Sequence, residues 1–123
     1  MSINLENLDE ETRKKILNLQ NVSTSLEYLT QQKLQMETAL RECEIAIEEL
    51  EKINPEDVVY KSIGGIMVKS EKNKLLDEKK SLKVSLEMRL KTIDQKKTRA
   101  EGEVTRIRNS LQTELQNKGS LNQ

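Results

Sequence analysis

The stretch that decides the fold is Asn54-Pro55-Glu56-Asp57-Val58-Val59-Tyr60-Lys61-Ser62-Ile63-Gly64-Gly65-Ile66-Met67-Val68-Lys69-Ser70. It holds the only proline, one of two tyrosines and two of four glycines, and it is the one segment rich in β-branched residues. Val58 to Ile63 and Ile66 to Lys69 read as short strands separated by Gly64-Gly65. Two glycines between such runs predict a β-hairpin, because tight hairpin turns need positive φ, which glycine adopts without steric penalty. Apolar residues fall on both faces, Val59 and Ile63 on one and Val58 and Tyr60 on the other. A lone two-stranded hairpin is marginally stable in water and leaves two open edges. This pattern suits an oligomerisation element better than a solvated flap.

On either side the periodicity is helical. Before the hairpin, Leu19, Val22, Leu26, Leu29, Lys33, Met36, Leu40, Cys43, Ile47 and Leu50 alternate steps of three and four, the a/d seam of a heptad repeat. This helix is expected to start with an Asn7–Glu10 capping pair and to end near Ile53, because Asn54 precedes a proline and is pushed out of the α region. After the hairpin, Ser70 is the expected N-cap. The second seam reads Leu75, Lys79, Leu82, Leu86, Leu90, Ile93, Lys97, Ala100, Val104, Ile107 and Leu111. Two consecutive four-residue steps from Leu82 to Leu90 form a stutter. A reversal at the hairpin sets Leu50 against Leu75, Cys43 against Leu82, Leu26 against Ala100 and Leu19 against Ile107. The expectation is a mainly α chain: two long helices in an antiparallel coiled coil joined by a single β-hairpin. It is read as one domain over 1–123, with a helical arm over about 8–53, the hairpin over 54–70 and a returning arm over 71–117.

Composition narrows the function classes. The 123 residues are 34% charged and 2% aromatic, with no Phe or Trp, so apolar burial must run along helix seams. Basic and acidic residues number 21 each, which gives no global attraction for nucleic acid or anionic membrane. Residues 21–53 carry seven acids against three bases, and residues 71–100 carry ten bases against five acids. The two arms would therefore attract when folded back. One cysteine and no histidine exclude an intrachain disulfide, His-based catalysis and a Cys/His metal cluster. Cys43, on the seam, reads as a small buried hydrophobe. Gly64 to Ser70 superficially matches a phosphate-binding loop, but Val68 stands where that loop requires glycine before Lys-Ser. No apolar run approaches the ~18 residues of a membrane span. The expectation is a cytoplasmic non-enzyme with no cofactor, no metal site, and no nucleic-acid or membrane partner.

The hairpin resembles that of the prefoldin family, specifically its β-class subunits. Val58-Val59-Tyr60-Lys61-Ser62-Ile63-Gly64-Gly65-Ile66-Met67-Val68-Lys69 is similar to the family's Val-Tyr-Lys, Val/Ile-Gly, Leu-Val-Lys signature. Met67 stands where leucine is usual, and Gly65 makes the turn more glycine-rich. Residues 54–70 have room for one hairpin, whereas α-class subunits carry two. The resemblance implies a hexamer of two α-type and four β-type subunits joined through their hairpins. It implies, too, that the coiled-coil tips hold unfolded proteins without ATP and pass them to a group II chaperonin. Carried over, Val58, Val59, Tyr60, Ile63, Gly64, Gly65, Ile66, Met67 and Val68 would be assembly residues. Leu5, Leu8, Ile16, Leu19, Ile107, Leu111 and Leu115 would contact clients. From the residues themselves, loosely paired helix ends with accessible leucines can bind another protein's apolar segments or close on each other. The rival reading is a coiled-coil scaffold that binds one folded partner.

Overall fold

The structure, a computed structural model, describes residues 9–121. Helix α1 runs Glu10–Lys52, strand β1 Val59–Ile63, strand β2 Ile66–Ser70 and helix α2 Lys72–Leu121. Among the described residues, those up to Gln31 and those from Asp94 onward form one compact unit, and Gln32–Ile93 form another.

Local chemistry sets the boundaries. Asp9 caps α1: the Thr12 amide donates to Asp9 Oδ1 at 2.7 Å, satisfying a first-turn N–H that has no helical partner. Asn7, the expected cap, lies outside the described residues. At the other end Asn54-Pro55-Glu56-Asp57 forms a turn. The Asp57 amide donates to the Asn54 carbonyl at 3.0 Å, and the Asn54 amide donates to Asp57 Oδ2 at 3.0 Å. The Lys72 ammonium donates to the Ile53 carbonyl at 2.6 Å, a cation placed at the negative end of α1. Ser70 does not cap α2 as expected. It remains in β2 opposite Val59, and α2 begins after Glu71, whose carbonyl accepts from the Leu75 amide at 3.0 Å.

The hairpin is antiparallel, with Ile63 opposite Ile66 and a two-residue loop. Gly64 and Gly65 take φ of +53° and +89°, as a primed turn demands. An added Cβ at either glycine would meet nothing within 4 Å. The requirement for glycine is therefore conformational, and no neighbour imposes it.

Within each unit the α1 and α2 segments pack along the anticipated seam. Of the α1 positions, Cys43 is buried and the other nine are half-buried. Along α2, Leu75, Leu86, Ile93, Val104, Ile107 and Leu111 are buried. The cross-helix register agrees with the expected one: Lys72 meets Ile53 in one unit, and Lys15 meets Ser110 in the other. Leu82 is the exception, 42% exposed while its neighbour Lys83 is half-buried. The buried and half-buried line runs Leu75, Lys79, Lys83, Leu86 and Leu90. The consecutive four-residue steps therefore fall at Leu75 to Lys83, earlier than the expected Leu82 to Leu90, and Leu82 lies off the contact line. The buried Cys43 thiol donates to the Lys79 carbonyl at 3.0 Å. A buried, hydrogen-bonded thiol behaves as a small core residue.

Candidate functional site: the hairpin and the helix ends

The hairpin presents apolar surface on both faces. By register, Val59, Ile63, Ile66 and Val68 share one face, and Tyr60 and Met67 share the other. Val58, Tyr60, Ile63, Ile66, Met67 and Val68 are 56, 57, 49, 62, 66 and 40% exposed; only Val59 is half-buried. The Lys61 ammonium ties the hairpin to α2 by donating to Glu78 Oε2 at 2.8 Å. That hydrogen bond, more than the wider positive field of Lys61, Lys74 and Lys79, holds the Glu78 carboxyl below its ordinary value. The pair orients the hairpin on its helix and leaves the sheet faces and both edges open.

In the unit that contains the helix ends, Ile16 and Leu19 are half-buried, Ile107 and Leu111 are buried, and Leu115 is 41% exposed. Leu5 and Leu8 lie outside the described residues. Ile107 and Leu111 thus face the partner helix, and Leu115 is the accessible one among the described members of the expected set. Leu17, at 47% exposure, is a further accessible leucine that a reading confined to seam positions passes over.

The last seam layers among the described residues of this unit are polar. Thr12, with no accessible surface, donates its hydroxyl to Glu114 Oε2 at 2.9 Å. The Lys15 ammonium donates to Ser110 Oγ at 2.9 Å and pairs with Glu114 Oε1. The bond from Lys15, then that from Thr12, holds the Glu114 carboxyl below its ordinary value of 4.5. The bond to Glu114, against partial desolvation, raises Lys15 above 10.5.

The signs fix the pH window. A depressed carboxylate contributes stability above its unfolded value and loses it as pH falls through the folded one. The raised ammonium contributes below its unfolded value and loses it as pH rises through the folded one. Both clusters therefore persist across neutral pH, and acid releases them through Glu78 and Glu114. The carboxyl carbon shift of Glu114, followed by NMR, is expected to titrate with a midpoint below 4.5. A midpoint at or above that value would mean that the Lys15 and Thr12 contacts do not form in solution.

Among the described residues no group of His, Cys, Asp or Glu is placed to hold a metal ion, and no helix is long and apolar enough to cross a membrane.

Comparison with known proteins agrees with this geometry. The Prefoldin subunit family model matches residues 4–118. The prefoldin subunit beta of Archaeoglobus fulgidus is 31% identical over 108 residues, 88% of this chain and 93% of its own. That of Methanothrix thermoacetophila is 32% identical over 108 residues, 88% of this chain and 90% of its own. The crystal structure of the prefoldin beta subunit from Thermococcus strain KS-1 superposes with a TM-score of 0.78 at 26% identity, covering 89% of this chain and 96% of that one. The chain belongs to the prefoldin subunit family, a family of chaperone subunits, and it has the single hairpin expected of the β class.

Proposed function

We propose that this chain is an ATP-independent holdase subunit. In this reading, Val58, Val59, Tyr60, Ile63, Gly64, Gly65, Ile66, Met67 and Val68 join it to α-type subunits and further β-type copies, in a hexamer of two α and four β. Its helix ends hold unfolded proteins through Leu5, Leu8, Ile16, Leu19, Ile107, Leu111 and Leu115, with Leu17 added, and pass them to a group II chaperonin in the cytoplasm. The observation that carries the reading is the hairpin. Five paired residues per strand, open at both edges and apolar on both faces, need partner strands to be stable. Several weak tip contacts on one assembly would then add through multivalency, holding a client firmly while each contact exchanges quickly.

The test is light scattering of a chemically denatured client diluted into buffer with this chain co-assembled with an α-type partner, without ATP. Aggregation is expected to fall at near-stoichiometric complex. Replacing the two accessible leucines, Leu17→Ser with Leu115→Ser, should weaken suppression by roughly fivefold to thirtyfold, since each lost apolar contact is worth about 0.5–1 kcal/mol and the two add. Helix content should not change. The burial of Ile107 and Leu111 favours the scaffold reading, in which the ends are closed and bind one folded partner. Unchecked aggregation with a fully assembled complex would decide for it.

A further inference from the structure

We propose that Thr12, Lys15, Ser110 and Glu114 form a polar latch that keeps the terminal apolar residues inside the helix seam, and that capture of an unfolded segment requires its release. The inference rests on the client-binding reading above.

The argument begins with position. Stepping back from Leu19 by four and three along the heptad gives Lys15 and Thr12, and stepping forward from Leu111 by three gives Glu114. These are core positions. Where the rest of this unit's described seam is mostly apolar, its last described layers carry a hydroxyl, an ammonium and a carboxylate. Both oxygens of Glu114 are taken by α1, one by Thr12 and one by Lys15, and Ser110 takes a second bond from Lys15. Thr12 has no access to water in this arrangement, and Glu114 gives its hydroxyl an acceptor.

Polar and apolar layers open at different cost. An apolar layer resists opening because its surface must be rewetted. Hydrogen bonds and ion pairs exchange for bonds to water, so their net contribution is small and depends on geometry. A polar layer near the helix ends therefore holds one closed geometry yet opens readily. Directly behind it lie Ile107 and Leu111, buried, and Ile16 and Leu19, half-buried. Release of the latch uncovers the side chains that an unfolded segment would need. Its closure keeps them from neighbouring assemblies.

Two variants act in opposite directions. Glu114→Gln keeps the shape but removes the charge and one acceptor. It should speed amide exchange across residues 16–19 and 104–111 by roughly tenfold, with no change over 32–93. It should also lower the concentration of co-assembled complex needed to halve client aggregation by about threefold. The triple variant Thr12→Val, Lys15→Leu, Glu114→Leu replaces the latch with an apolar layer. It should slow the same exchange and weaken capture, although it adds apolar side chains at the tip. If capture depended only on apolar content, this variant would capture more. Unchanged exchange in Glu114→Gln, or full capture by the triple variant despite slowed exchange, would overturn the latch. Failure of the wild-type complex to suppress aggregation would instead overturn the holdase reading.

Discussion

Ile63→Asp combined with Val68→Asp is expected to disperse the assembly, the mass by light scattering falling to that of a single chain while the helical circular dichroism is retained. The two residues lie on one sheet face, since Lys61 pairs with Val68 and Ile63 with Ile66. In the chain alone they are 49 and 40% exposed, so an aspartate at either stays hydrated and costs the monomer little. In an assembly built through this sheet, each would be buried, and Lys61, which stands opposite position 68, is already engaged by Glu78. An unpaired buried carboxylate costs several kcal/mol, and here two recur at every hairpin contact. Dissociation should therefore be complete at micromolar concentration. The helices should survive, because their seam residues lie elsewhere and hairpin contact with α2 runs through Lys61 and Glu78. An unchanged mass would exclude this face as an assembly surface.

The features that could be read from the sequence were those fixed by local rules. Gly64-Gly65 between β-branched runs fixes the turn, and φ of +53° and +89° at those positions leaves no other residue type as comfortable. The a/d steps of α1 fix its buried face, and the reversal fixes the cross-helix register to within one helical step. Boundaries depending on competition between elements were less legible. Ser70 is a good cap by type, but its pairing with Val59 holds it in the strand. The polar layers at Thr12, Lys15 and Glu114 escape a search confined to apolar seam residues. Heptad counting carried past Leu19 and Leu111 would have reached Thr12, Lys15 and Glu114. Leu17 lies off the seam, and its accessibility follows only from the packed structure.

The stutter provides the other large effect. Leu86→Ala should lower the stability of the chain by about 2–5 kcal/mol, while Leu82→Ala should cost less than about 1 kcal/mol. Both are leucines at neighbouring sites of the repeat, and the sequence alone places them on the same seam. The structure separates them: Leu86 is 6% exposed and Leu82 is 42% exposed. Truncating Leu86 removes packed methyl groups and leaves a cavity that a helix pair with no second apolar layer behind it can only partly close. Truncating Leu82 removes atoms already in substantial contact with water and leaves no enclosed cavity. Urea midpoints of the two variants, measured on the same assembly, compare the positions directly. A large loss at both would put Leu82 back on the contact line, and α2 would then lack the rotation assigned to the stutter. A large loss at Leu86 alone means that the added step turns the helix ahead of Leu86, where Lys83 takes the half-buried place and the Cys43 thiol bonds the Lys79 carbonyl.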